Sequence, residues 1–370
     1  MIMTEALEAA FAANFAERGE LGAAVCVWSD RGPEASMVGG HLSWATGAAP
    51  WSEDTLVPIW STTKGPAAAT VLWALDRAGL SLATPVHHVW PELTADATFG
   101  QLLSHQAGLP ALDVHTSVFD HEAAVIALER QPPHWQPGTE HGYHPRTFGV
   151  LLEECTRRLC GAPLGEVWRR EIAEPLGLDL WIGLPEREHA RVAVVEAGRF
   201  TQRPEEKEFH AAFSASDSLT RRAFMSLRGL HAIQEMNQPA AWSLGQPAFG
   251  GVASARGLAR FYHALATGDG GRFSRTVRQA AETTLAEGDD LVLRMPTAFA
   301  AGFQKDPIGS GANQRRCHYG RSVRAFGHPG AGGSLAWADP ERRLGFAYVM
   351  NLIAPGVMPG ERALSLVRAI

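Results

Sequence analysis

Apolar residues recur four apart at the start of the chain, where Leu7, Phe11 and Phe15 share one helical face and Glu5, Glu8 and Glu17 fall elsewhere. A packed first helix is expected. Short apolar runs take over next. GAAVCVWSD (22–30) and SMVGGHLSW (36–44) flank Arg31-Gly32-Pro33, which predicts a hairpin. Three more strand-like runs follow far downstream: VRAFG (323–327), GSLAWAD (333–339) and RLGFAYVMN (343–351), the last two joined by a Pro340-Glu341 turn. A helix over 363–370 closes the pattern. Between these ends the spacing is helical over 66–79, 99–104, 121–130, 147–160 and 163–172, the last stopped by Glu174-Pro175. Strands at both ends thus bracket helices. The expected fold is α/β of the α+β kind: an antiparallel sheet from 1–85 and 250–370, flanked by helices, with a mainly helical domain over 86–249 inserted between. A site would then lie between the lobes. The stretch 201–247, with Pro204, Pro239 and mixed charges, has little periodicity and reads as a lid or an irregular region.

Composition narrows the function. With 370 residues, 45% hydrophobic and 19% charged, the chain can bury a large core. A net charge of −6 gives no electrostatic reason to expect nucleic acid. No apolar run reaches the roughly 20 residues of a membrane span, and the N-terminal segment lacks the basic and apolar regions of a signal peptide. A cytoplasmic protein without membrane association is expected. Cys26, Cys155, Cys160 and Cys317 form no C-x-x-C pair, so they read as reduced thiols. No metal and no cofactor are expected either. His87 and His88 are adjacent and point apart, and there is neither an H-E-x-x-H nor a phosphate-binding G-x-x-x-x-G-K-[ST].

The basic residues are unevenly chosen. Only Lys64, Lys207 and Lys305 are lysines, and the other 30 of the 33 are arginines. One lysine falls in Ser61-Thr62-Thr63-Lys64. A hydroxyl is a weak nucleophile at neutral pH and needs a base beside it; a lysine serves if burial or a neighbouring cation lowers its pKa. At i and i+3 in the first turn of a helix the two side chains share a face, and the helix N-terminus favours developing negative charge. About 0.15 S-x-x-K matches are expected by chance in this composition, so context matters. The lead-in Leu56-Val57-Pro58-Ile59-Trp60 and the alanine-rich run after Lys64 describe a strand or loop entering a buried helix, with Pro66 placed to bend its first turns.

Together with STTKG, the segments FGQLLSHQAGLP (99–110), QPGTEHGYHPRTFGVLLEE (136–154) and FGHPGAGGSLAWADPERRLGFAYVMN (326–351) resemble, in order, the blocks of the serine β-lactamases of class C and the penicillin-binding DD-peptidases. The resemblance is strongest to family VIII carboxylesterases, and it implies a β-lactamase-like fold. It further implies Ser61 as nucleophile, Lys64 as base, and Tyr143 as partner in the relay, either ionised by Lys64 or sharing its proton. It implies an oxyanion hole from the backbone N–H groups of Ser61 and Ala331, each donor worth roughly 3–4 kcal/mol in comparable hydrolases. The second motif, Tyr-x-Asn in the family, reads Tyr143-His144-Pro145 here. The third falls on His328-Pro329-Gly330, which assigns His328 and Gly330 to substrate binding.

These departures bear on substrate. Loss of the asparagine amide and of the third-motif lysine removes groups that orient a β-lactam's amide and carboxylate, so a small uncharged ester fits better. Arg324, just before the third motif on an expected edge strand, could still contact a carboxylate, though a lone arginine is more often a solvated surface residue. Gly332-Gly333-Ser334-Leu335-Ala336 nearly matches the G-x-S-x-G elbow, but a strand is expected to continue through it where the elbow needs a strand running into a helix. The sequence therefore points to a serine carboxylesterase acting through an acyl-enzyme. An amidase, peptidase, β-lactamase or acyltransferase on the same scaffold is the alternative, and a non-catalytic binding protein would have no need of Ser61, Lys64 and Tyr143 together.

Overall fold

In the computed structural model, which describes residues 2–199, 203–308, 317–354 and 356–370, the apolar runs at both ends meet in one sheet. Its strands are β1 (Gly22–Ser29), β2 (Gly32–Gly40), β3 (Ala286–Asp289), β4 (Pro296–Phe299), β5 (Gln304–Lys305), β6 (Phe326–Pro329), β7 (Leu335–Asp339) and β8 (Leu344–Met350). They lie in the order β2-β1-β8-β7-β6-β5-β4-β3, and every pair is antiparallel. Ala23 faces Met350, so the first strand is inserted beside the last. Both are buried along nearly their whole length, as central strands covered on two faces must be.

Helices supply the cover. α1 (Ile2–Glu17) buries Leu7 and Phe11 against β2 and the C-terminal helix Glu361–Arg368. Ala255–Thr267 crosses β1, β7 and β8. Its backbone comes so close to β8 that a Cβ on Gly345 would lie 2.0 Å from the Ala259 carbonyl, which is why glycine stands there.

Some boundaries differ from the sequence expectation. The hairpin turns at Asp30-Arg31, and Pro33 sits inside β2 opposite Trp28, next to an irregularity in register. An edge strand accepts a proline because the missing N–H faces away from the ladder. The helix after the serine, α2 (Lys64–Arg77), starts at Lys64 and runs through Pro66. Proline in a first turn forfeits no intrahelical bond, so the helix accepts it there. Helices His121–Arg130 and Thr147–Cys160 (α3 and α4 here) match their expected bounds, whereas 163–172 divides into Leu164–Val167 and a wider turn over Trp168–Ala173.

The described part of 201–247 is not irregular. It holds four short helices: α5 (Lys207–Ser214), α6 (Leu219–Met225), Ile233–Met236 and Pro239–Leu244. Phe209, Phe213 and Phe224 of α5 and α6 pack ring against ring. They belong to a second apolar cluster with Tyr143, Val292, Phe299 and Met358.

Candidate active site

Val57–Pro58 pairs antiparallel with Val252–Ala253, and the Ile59 N–H bonds the Gly251 carbonyl at 3.0 Å. The chain therefore enters the tight turn Trp60–Thr63 from a fixed position. Trp60 takes φ 46°, a left-handed conformation that costs a non-glycine residue about 1–2 kcal/mol. Thr63 Oγ1 closes the turn on the Trp60 carbonyl and also accepts the Gly251 N–H at 2.9 Å. Ser61 thus lies in a 3-10 turn that runs directly into α2, and Lys64 opens the α-helix itself. Ser61 is partly exposed while Lys64 is fully buried.

Lys64 Nζ meets three oxygens: Ser61 Oγ at 3.2 Å, the Pro145 carbonyl at 2.9 Å and the Ala248 carbonyl at 2.9 Å. Burial pushes its pKa well below the usual lysine value, and the Arg146 guanidinium pushes the same way. A neutral amine has two N–H bonds and one lone pair. The two carbonyls can only accept, so they take both N–H bonds and leave the lone pair facing the Ser61 hydroxyl. This is the arrangement a base requires.

Tyr143 stands over the pair. Nζ is 4.7 Å from its ring centroid, and its hydroxyl bonds Ser61. Burial pushes the phenol pKa up, so of the two relay roles the protonated, proton-sharing phenol fits these surroundings and the phenolate does not. Its backbone is anchored by Asp290, whose two carboxylate oxygens accept the Tyr143 N–H at 3.0 and 3.1 Å. His105, at φ 63°, accepts the His144 N–H through Nδ1 at 3.2 Å and packs edge-on to the Tyr143 ring.

β6 brings the third motif to the same place. Thr62 Oγ1 donates to the His328 carbonyl at 3.3 Å, and Ser334 Oγ donates to the Ile59 carbonyl at 3.0 Å. A Cβ on Gly330 would lie 2.4 Å from that carbonyl, so only glycine lets this segment lie against the nucleophile turn. Among the described residues neither the Ser61 nor the Ala331 N–H finds a protein acceptor. His328 is buried, with its ring centroid 5.9 Å from that of Tyr143. Its Nδ1 lies 2.7 Å from the Pro329 carbonyl and so carries the proton, leaving Nε2 as a buried acceptor without a protein partner. Burial lowers its pKa to about 3, so the ring is neutral. Ser334 precedes β7 and has its hydroxyl committed, as a structural residue would. Arg324 is paired with both oxygens of Glu282, at 2.9 and 3.1 Å, and is exposed to solvent.

The sequence profile of the Beta-lactamase family matches residues 7–367. This chain belongs to the beta-lactamase family. A curated relative, Esterase/beta-lactamase LipL of Mycobacterium tuberculosis, is 32% identical over 94% of this chain and 81% of its own. Among solved structures, a family VIII carboxylesterase superimposes with a TM-score of 0.85 at 30% identity, covering 100% of this chain and 97% of that one. A penicillin-binding protein homologue from Caulobacter crescentus gives 0.84 at 34% identity, covering 99% and 96%.

Within this beta-lactamase family frame, four groups at the site had escaped the motif reading. The Pro145 and Ala248 carbonyls hold Lys64, Asp290 holds Tyr143, and Arg146 supplies a buried cation. Backbone carbonyls leave no mark in a sequence. Arg146 did leave one, as a cation directly after the second motif and before the apolar Phe148. Its guanidinium donates to the Leu230 and Gly229 carbonyls, lies over the Phe249 ring at 4.3 Å, and has its pKa lowered to about 9 by burial. Replacing it with methionine removes a charge that disfavours the Lys64 ammonium, so the Lys64 pKa should rise. On the reading of Lys64 as the base, which acts as the neutral amine, the acid limb of the kcat/KM profile should move to higher pH. A pH–rate series on Arg146→Met checks this, and a limb that stays or moves down contradicts it.

Proposed function

We propose that this serine hydrolase is a carboxylesterase of small, uncharged acyl esters. The observation that carries the reading is the Lys64 amine, buried, held by two carbonyls and turned on Ser61. The Ser61 proton passes to Lys64 Nζ as Oγ attacks the ester carbonyl carbon. The oxyanion forms between the Ser61 and Ala331 N–H groups, where aligned donors are worth most. When the tetrahedral species collapses, the bond to the alcohol oxygen breaks and that oxygen takes a proton through the Lys64–Tyr143 pair, leaving an acyl-Ser61 ester. Water then enters, gives its proton to Lys64, and releases the acid by the reverse course.

Three features favour an uncharged ester. The neutral His328 offers an acceptor where a lysine would offer a cation, Arg324 is engaged by Glu282, and phenylalanines of α5 and α6 share an apolar cluster with Tyr143. A carboxylate-bearing β-lactam would meet a neutral ring at the third-motif position instead of a lysine. Short-chain p-nitrophenyl esters should therefore exceed a chromogenic cephalosporin in kcat/KM by at least about 10³-fold. A panel of these substrates with D-amino-acid amides decides it. Comparable rates on the cephalosporin would defeat the ester reading.

A further inference from the structure

We infer that Gln246 is a positioning residue, clasping together the two backbone segments whose carbonyls hold Lys64. The inference rests on the reading of Lys64 as the base. The two acceptors, Pro145 and Ala248, come from segments about a hundred residues apart, and Gln246 bridges both. Its Oε1 accepts the Ala248 N–H at 2.6 Å, and its Nε2 donates to the carbonyl of Arg146, the residue after Pro145, at 3.4 Å. Gln246 is itself held. Its carbonyl accepts the Gly250 N–H at 2.7 Å and the Phe249 N–H at 3.0 Å, and it follows Gly245, which ends the preceding helix at φ 56°. The amide is buried against α4 at Gly149, where a Cβ would lie 2.3 Å from Nε2 and 2.4 Å from Oε1. Glycine at that position leaves the room the clasp occupies. Lys64 itself bonds both segments, through the Pro145 and Ala248 carbonyls, and Gln246 adds a second bridge beside it.

The consequence is directional. If either carbonyl drifts, an N–H of Lys64 is left without its acceptor and the amine can rotate, so its lone pair no longer has to face Ser61. Groups facing Lys64 are Tyr143, Arg146, His105, His144 and His328, with Glu235 acting on Arg146 and Asp290 on Tyr143. None of them bonds Nζ.

Gln246→Met fills the same space and makes neither bond. The measured quantity is the acylation rate of Ser61, read as the burst of p-nitrophenol and as fluorophosphonate labelling in the parent and in a Lys64→Ala background. Gln246→Met should lower kcat about tenfold in the parent while leaving KM within about twofold, and should cost less than about twofold once Lys64 is alanine. A similar loss in both backgrounds would show general disruption and overturn the inference, as would no loss in either. If Lys64→Ala alone leaves the rate intact, the base assignment has failed first. Should Gln246→Met not fold, Gln246→Glu keeps the acceptor for Ala248 and places a carboxylate two residues from the carbonyl that holds Lys64. The acid limb of kcat/KM should then move to higher pH, because a negative neighbour favours the ammonium; an unmoved limb overturns the inference.

Discussion

Replacing Ser61 with alanine is expected to lower ester turnover by at least about 10⁴-fold while the protein remains folded. The attacking oxygen goes, but little volume goes with it, and the side chain is partly exposed. Lys64 loses one contact and keeps both carbonyls. A fluorophosphonate probe should leave no adduct, and thermal unfolding should stay near that of the parent. Turnover within about tenfold of the parent would remove Ser61 as the nucleophile. Ser334→Ala is the matching control. It deletes the bond to the Ile59 carbonyl and the 3.3 Å contact to Thr62 Oγ1, so it should cost about 1–3 kcal/mol of stability with much less loss of rate. An equal loss of rate would revive the nucleophile-elbow reading of that segment.

The second large effect is expected from Lys64 and Tyr143 together. Lys64→Ala and Tyr143→Phe should each lower kcat by at least about 10³-fold, and the double variant should fall less than about tenfold below the worse single one. The geometry gives the reason. Nζ and the phenol both contact Ser61 Oγ, so each completes one path for the same proton. Breaking the path twice costs little more than breaking it once. Arginine at position 64 should not restore activity, because a guanidinium stays protonated, and methionine should fail for lack of a basic lone pair. A double variant showing the full product of two large losses, with unfolding unchanged, would mean that the two side chains act separately.

Much of this site was legible because side-chain chemistry at short spacing survives in a one-dimensional record. Ser61 and Lys64 are three residues apart, and Tyr143 and His328 sit in blocks whose order is itself informative. The strands were legible too, since Val25, Val27, Phe346 and Val349 are apolar wherever they fall. Other features depend on through-space closure. The oxygens that hold Lys64 come from positions 61, 145 and 248, two of them backbone carbonyls that any residue could provide. Reading Pro145 for its missing asparagine side chain looked at the wrong atom. Asp290 was hidden for a related reason: it caps its own turn through the Val292 and Leu293 N–H groups, as many loop aspartates do, and only the fold brings Tyr143 to it. The 201–247 stretch looked irregular because helices of four to eight residues are too short to display a period.

The insertion of β1 beside β8 also sets a timetable for biosynthesis. The nucleophile turn is complete early in translation, but its hydroxyl-bonded support from Ser334 comes from 275 positions later, and β1 has no partner on one side until Met350 has been made. Until the ribosome has delivered that stretch, Ser61 has neither the strand that shapes its pocket nor a second amide for an oxyanion. The apolar first strand of a nascent chain therefore waits, unpaired on one edge, for most of its synthesis. Such long-range pairing is slow to form and leaves edges open to association meanwhile. Exposure of that unpaired edge during synthesis is the physical consequence of closing the sheet between the two ends of the chain.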